Sequence, residues 1–292
     1  MVVNSAALYK SRSVLETLLT EEGIPVDQGG IEGSSGNNER LRVSEIFTSL
    51  QGEGPYSGTP AVFLRLAFCN MHCWYCDTKY TWLFHEKLLR RVISDTKGSG
   101  VIPPPDLIVY DKEREVKEMA LGDIASELLK SNQRHLVVTG GEPMLQQSAL
   151  IPLITRLKEK SGRNYFVEVE TSGTVKPFLE MQLLIDEWNV SPKLESSGNT
   201  SARERPEVLR LFANLPDAIF KFVVQSSEDL REIKSLVERY SIPSARVMLM
   251  PEGTDPQILK ERSAWLLKVC NETGYRFSSR LHILMWGNKR GV

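Results

Sequence analysis

Cysteine is scarce in this chain: there are four in 292 residues, and three of them stand together at Cys69, Cys73 and Cys76. The scattered pairs that would staple a secreted domain are missing, so a reducing, cytoplasmic setting is the expectation. An excess of charge of one sign is missing too. Thirty-six Lys and Arg face thirty-seven Asp and Glu, a formal charge of -1, which makes no electrostatic case for a nucleic-acid partner or a polybasic membrane patch. No apolar run is long enough to span a bilayer. Met1–Leu8 has no apolar leader core, and Glu16, Glu21 and Glu22 follow soon after.

What is present begins with punctuation. Ser11–Thr20 carries a short amphipathic pattern that predicts one helix, after which Gly29, Gly30, Gly33 and Ser34–Asn38 accumulate without apolar periodicity. Such a stretch has little to bury and much entropy to lose, so residues 1–40 read as an N-terminal extension or linker. The globular part is expected over 41–292. Leu41–Phe47 reads as a first strand and Ala61–Ala67 as a second. Alternation there sets Arg65 and Phe63 on the face opposite Leu64 and Leu66. Residues 79–118 read as a variable insertion, interrupted by Gly98, Gly100 and Pro103–Pro105.

From Glu118 onward helical and strand patterns alternate. Met119–Lys130, Gln147–Lys160, a shorter stretch near Lys176–Met181, Asp229–Tyr240 and Pro256–Glu272 read as helices. His135–Thr139, Tyr165–Glu170, Leu183–Asp186, Ala218–Val224 and Arg246–Met250 read as strands, and Arg280–Trp286 is strand-like. The expected class is α/β, with a mostly parallel sheet in a partial barrel of about six β/α units, open on one side.

Cys69, Cys73 and Cys76 follow the second strand in C-x3-C-x2-C spacing. Three thiolates on a tight loop suit an iron–sulfur cluster, and a [4Fe–4S] cluster held by three cysteines leaves one iron open. Zinc is the rival, with His72 as a fourth ligand. Cys270 reads as a buried thiol on the last long helix. Two strand-end turns attract attention: Gly140-Gly141-Glu142-Pro143, where glycines admit a ligand close to backbone and Glu142 offers a carboxylate, and Glu170–Thr174, rich in hydroxyls. Ser191 and Lys193 supply a hydroxyl and a cation at a further strand end. Gln51-Gly52-Glu53-Gly54 is a glycine-flanked turn that a flat heterocycle could approach.

The cysteine spacing resembles that of the radical S-adenosylmethionine (SAM) enzymes. Ser49–Gly54, Phe63–Leu66 and Cys76-Asp77-Thr78 are similar to the 7-carboxy-7-deazaguanine synthase family, from about Leu41 onward. That resemblance implies a lyase acting by radical ring contraction of 6-carboxy-5,6,7,8-tetrahydropterin, with SAM bound by Gly140, Gly141, Glu142, Glu170, Ser172, Ser191 and Lys193, and with Asp77 near the cofactor. It assigns Glu53 and Arg65 to the pterin, with Gln51, Gly52 and His282 beside it, and Thr78 to Mg2+. The adenine would lie under Val247–Thr254. It further implies a homodimer and an external one-electron reductant such as flavodoxin or ferredoxin. The competing readings are another radical SAM enzyme, such as a glycyl-radical activase, and a non-enzymatic zinc scaffold.

Overall fold

Alternation in Pro60–Leu66 (β2) sends Val62, Leu64 and Leu66 to one face and Ala61, Phe63 and Arg65 to the other. The computed structural model describes residues 39–98, 107–161, 165–199 and 203–292, and this two-faced pattern runs through its sheet. The expected helix at Ser11–Thr20 lies outside the described residues.

Arg40–Leu50 (β1), β2, Lys117–Ala120 (β3), His135–Gly140 (β4), Phe166–Thr171 (β5), Glu187–Val190 (β6), Ala218–Val224 (β7), Val247–Pro251 (β8) and Arg276–Phe277 (β9) form one sheet in the order β3-β1-β2-β4-β5-β6-β7-β8-β9. From β2 to β9 every neighbour is parallel, while β1 is antiparallel to β2 and to β3. The two ends, β3 and β9, do not pair, so the barrel stays open. Six parallel strands of four residues or more make its wall, as expected, and β1, β3 and the two-residue β9 extend it at the edges.

The convex face carries the apolar core. Leu64, Leu66, Leu136, Val138, Val167, Val169, Phe220 and Phe222 pack there against Leu128 of Leu121–Lys130 (α3), Leu150 and Leu153 of Gln147–Ser161 (α4), Phe212 of Pro206–Asn214 (α6), Ile233 of Ser227–Tyr240 (α7) and Leu266 of Pro256–Thr273 (α8). All of these side chains are fully buried, each contributing about 1.5–3 kcal/mol of hydrophobic stabilisation. Caps fix the helix starts. Ser226 and Asp229 form a capping box on α7, and Asp255 accepts from the amides of Gln257 and Ile258 at the start of α8, each cap worth about 1 kcal/mol.

Several expected boundaries shift. Leu183–Asp186 is not a strand: the helix expected at Lys176–Met181 instead spans Leu179–Leu184, burying Met181 and exposing Leu183, and the strand follows at β6. Met119 and Ala120 belong to β3, paired with Leu41 and Arg40, so α3 starts at Leu121. The insertion therefore ends inside the sheet, after helices Glu86–Gly98 (α1) and Lys112–Glu115 (α2). The strand-like C-terminal run is the short helix Leu281–Trp286, in which Ile283 is buried while Leu284, Met285 and Trp286 are exposed.

The concave face is polar, with Arg65, Thr139, Glu168, Glu170, Glu187, Asn189 and Lys221 taking its alternate positions. At its lower end Glu187 is 8 % exposed and its Oε1 has no hydrogen-bond partner. Burial, followed by Glu168 and Asp217, pushes its carboxyl up to about 8, against the pull of Arg276. A raised carboxyl holds a proton in the fold that the unfolded chain releases near 4.5. Its contribution to stability is therefore full below that pH and is lost as pH rises through about 8. Glu187→Gln should flatten this decline. In thermal melts the variant should match wild type at pH 5 and exceed it at pH 8.5 by roughly 2–4 °C, the shift that about 1 kcal/mol makes in a chain of this size.

Candidate active site

The C-terminal ends of the parallel strands open into a cavity of about 250 Å³. Its wall is made first by the cysteine loop. Phe68, directly before Cys69, holds a positive φ of 71°, which costs an L-residue roughly 1–2 kcal/mol. The surroundings impose it: Phe68 donates its amide to the Thr81 carbonyl at 2.7 Å and accepts from Glu142 N at 2.9 Å, with the Arg42 guanidinium 4.7 Å from its ring. The resulting turn brings Cys69, Cys73 and Cys76 to the cavity.

Each sulfur is met by a donor. Met71 N lies 3.3 Å from Cys69 Sγ, Asn199 Nδ2 3.2 Å from Cys73 Sγ and Trp82 Nε1 3.4 Å from Cys76 Sγ. Donors of this kind stabilise ligand thiolates. Burial pushes the Cys69 thiol well up, and pushes Cys73 to about 11 although Lys193 and Asn199 oppose it. The protons must leave when a metal centre supplies positive charge.

The spread of the sulfurs discriminates between metals. Among the described residues, the one trio of His, Cys, Asp or Glu ligand atoms that lie within 4.8 Å of one another is Glu53, Asp77 and His282. At least one pair of the three sulfurs is wider apart than that, whereas ligands of one tetrahedral zinc at 2.3 Å would stand about 3.8 Å apart. His72 does not complete a zinc site either, because its ring packs 5.4 Å from Trp82 and it is not among the residues that line the cavity. The loop fits a cluster, not a single ion. Cys270 stays apart in α8, 8 % exposed, its Sγ 3.6 Å from the Arg276 carbonyl.

Gly140 and Gly141 press against the same loop. A Cβ at Gly140 would fall 2.1 Å from the Leu66 carbonyl oxygen, and one at Gly141 2.0 Å from that of Phe68. No side chain can stand there. Glu142 follows the two glycines. It is fully buried and does not line the cavity. Both of its oxygens are occupied: Oε1 accepts from Met144 N at 3.1 Å and Thr171 Oγ1 at 2.8 Å, and Oε2 from Ser172 N at 2.8 Å and Ser172 Oγ at 2.5 Å. These bonds tie the glycine turn to the end of β5. Glu170, Ser172, Ser191 and Lys193 do line the cavity, as do Asp77 and Thr78.

The same cavity is lined by Gln51, Gly52, Glu53, Arg65 and His282. Arg65 donates through Nε to Glu45 Oε2 at 3.0 Å, and its guanidinium lies 5.5 Å from the Phe47 ring. Glu53 is held by two cations that the sequence did not single out. Lys221 Nζ donates to its Oε2 at 2.6 Å, and Arg280 Nε to its Oε1 at 3.0 Å. Lys221 also reaches Glu170 at 3.4 Å, and Arg280 also pairs with Asp77. The result is an alternating row, Asp77, Arg280, Glu53, Lys221, Glu170, that runs from the cysteine loop to β5. Burial alone would raise the Glu53 carboxyl, but Lys221 and Arg280 outweigh it and hold it well below the usual carboxylate range. His282 lies across Gly52, where a Cβ would meet its Nδ1 at 2.1 Å, and its Nε2 is 3.9 Å from Glu53.

The 4Fe-4S single cluster domain family matches residues 50–191, the stretch that carries the cysteine loop and the glycine turn. A 7-carboxy-7-deazaguanine synthase of Pyrobaculum aerophilum is 40% identical over 253 residues, 86% of this chain and 97% of the relative. The chain belongs to the 7-carboxy-7-deazaguanine synthase family. A synthase of the same name from Halobacterium salinarum is 33% identical, over 87% of this chain and 94% of its own. The crystal structure of QueE from Escherichia coli shares the fold, with a TM-score of 0.59 at 23% identity, covering 85% of this chain and all of the other. As a member of this family the chain is a radical SAM lyase built around a [4Fe–4S] cluster and SAM, and the activase and zinc-scaffold readings are set aside. Among the described residues no helix is long and apolar enough to cross a membrane.

Proposed function

We propose that this cavity takes 6-carboxy-5,6,7,8-tetrahydropterin and releases 7-carboxy-7-deazaguanine and ammonia. The observation that carries the reading is that one cavity is lined both by the three cysteines and by Glu53 and Arg65. When bound, the cluster and SAM supply a carbon-centred radical able to remove a substrate hydrogen, and the chemistry of that step belongs to them.

The side chains bind and orient. Cys69, Cys73 and Cys76 would hold three irons of the cluster, with hydrogen-bond donors to their sulfurs at Met71, Asn199 and Trp82. Glu170, Ser172, Ser191 and Lys193, with the bare backbone at Gly140 and Gly141, offer hydrogen bonds to the ribose, amino and carboxylate groups of SAM. Glu53 is kept ionised by its two cations, so it accepts from the ring N–H groups of the pterin. Arg65, steadied by Glu45, turns its remaining donors to the substrate carboxylate. Thr78, which lines the cavity, would supply a hard oxygen for Mg2+, an ion that keeps waters and needs few protein ligands. Of the trio Glu53, Asp77 and His282, the first two are already neutralised by Lys221 and Arg280; the assignment of Mg2+ to Thr78 rests on family likeness. Family likeness supports a homodimer, a flavodoxin or ferredoxin as one-electron donor, and a cytoplasmic setting.

Anaerobic protein given the pterin, SAM, Mg2+ and a reductant should form the deazapurine, with many product molecules per SAM consumed. SAM cleavage without deazapurine would rule out this substrate assignment.

A further inference from the structure

Barrel interiors are ordinarily filled by branched apolar side chains. Here four polar ones join instead, Gln51 and Asn189 from the cavity lining with His135 and Glu168 behind them: Gln51 is 2 % exposed, His135 6 %, and Glu168 and Asn189 0 %. Glu168 is their hub. Its Oε1 accepts from Gln51 Nε2 at 2.7 Å and from Asn189 Nδ2, and its Oε2 lies 2.8 Å from His135 Nε2. Buried polar groups are costly when unmatched, and Asn189 Oδ1 is left without a partner. What the arrangement holds is the turn that carries Glu53. Gln51 Oε1 accepts from Glu53 N at 3.3 Å, and the Asn189 amide lies against Gly54, where a Cβ would fall 2.7 Å from it. From above, Leu281 N donates to the Gly52 carbonyl at 2.8 Å and Gly54 N to Ser278 Oγ at 2.9 Å.

We propose that Glu168 is a positioning residue: by gripping Gln51 and Asn189 from inside the barrel, it fixes the Gln51–Gly54 turn so that Glu53 faces the substrate. The role of Glu53 in this statement rests on the pterin reading of the cavity. The fixing of the turn does not, and the test separates the two.

The variants are Gln51→Glu, which sets two carboxyl groups against each other, and Gln51→Glu with Glu168→Gln, which restores a donor–acceptor pair in the reverse sense. In the cluster-loaded full chain without substrate, Q51E should speed amide exchange over residues 51–54 on the order of tenfold and leave β4 and β5 unchanged. The double variant should return to within about threefold of wild type. KM for the pterin should follow the same order, while cluster content and SAM affinity stay constant. The proposal fails if Q51E exchanges like wild type, if the double variant is no better than Q51E, or if exchange rises equally across the sheet. A wild-type protein that ignores the pterin would refute the substrate reading and leave the exchange result standing.

Discussion

Replacing Cys73 with alanine should abolish cluster retention and turnover together. Cys73 is one of three sulfurs, 6 % exposed, and the loop offers no spare ligand: His72 faces Trp82, and Cys270 lies in α8. A two-sulfur remnant cannot hold the cluster, so iron per chain and the visible iron–sulfur absorbance should fall to background in C73A. Asn199→Ala provides the graded comparison. It removes the 3.2 Å donor to Cys73 Sγ and the acceptor of the His72 amide, and loss of such an outer partner costs roughly 10–100-fold in metal affinity. N199A should therefore bind a cluster that a chelator strips faster than from wild type. A C73A protein that keeps a full cluster would place the ligands elsewhere.

Lys221→Met should have the next largest effect. Lys221 is 4 % exposed and stands between Glu53 and Glu170. Removing it leaves two carboxylates facing each other with one cation fewer, and breaking a buried pair in this way costs about 3–5 kcal/mol. The pH dependence has a definite sign. A carboxyl depressed in the fold contributes stability that is present above about 4.5 and is lost as pH falls through its folded value. Without Lys221 that folded value rises, so K221M should begin to unfold at a higher pH than wild type during acid titration. KM for the pterin should rise about tenfold or more, since one tenfold step corresponds to 1.4 kcal/mol. Glu53→Gln in the same background should recover most of the lost stability, and a double-mutant cycle should report a coupling between the two positions of about 0.5–3 kcal/mol. Independent, additive losses would show that the row is not a unit.

Much of this site was legible because its parts are local. The cysteine loop, the glycine turn and the Gln51–Gly54 turn each announce themselves within eight residues. Lys221 and Arg280 do not. Lys221 sits in Ala218–Val224, an otherwise apolar strand, and the available signal was its alternation with Phe220 and Phe222, which puts a lone cation inside the barrel. Arg280 precedes a six-residue helix with no pattern of its own, and only the fold brings it to Asp77 and Glu53. The burial of Glu142 was not legible either. A carboxylate in a ligand-like turn reads as exposed, but its partners Thr171 and Ser172 arrive from the next strand. The displacement of β6 has the same physics: Glu187 and Asn189 point into a polar barrel interior, so the true strand looks hydrophilic while Leu183–Ile185 beside it imitates one.

The claim beneath all of this is that three cysteines hold a cluster whose remaining iron is free to bind SAM. The direct measurement is iron and sulfide content together with the electron paramagnetic resonance spectrum of the reduced, anaerobically reconstituted chain, before and after SAM is added. The account predicts four irons and four sulfides per chain, as the matching cluster family implies, and a spectrum that changes when SAM binds. Stoichiometric zinc without iron, or a cluster whose spectrum is indifferent to SAM, would contradict it.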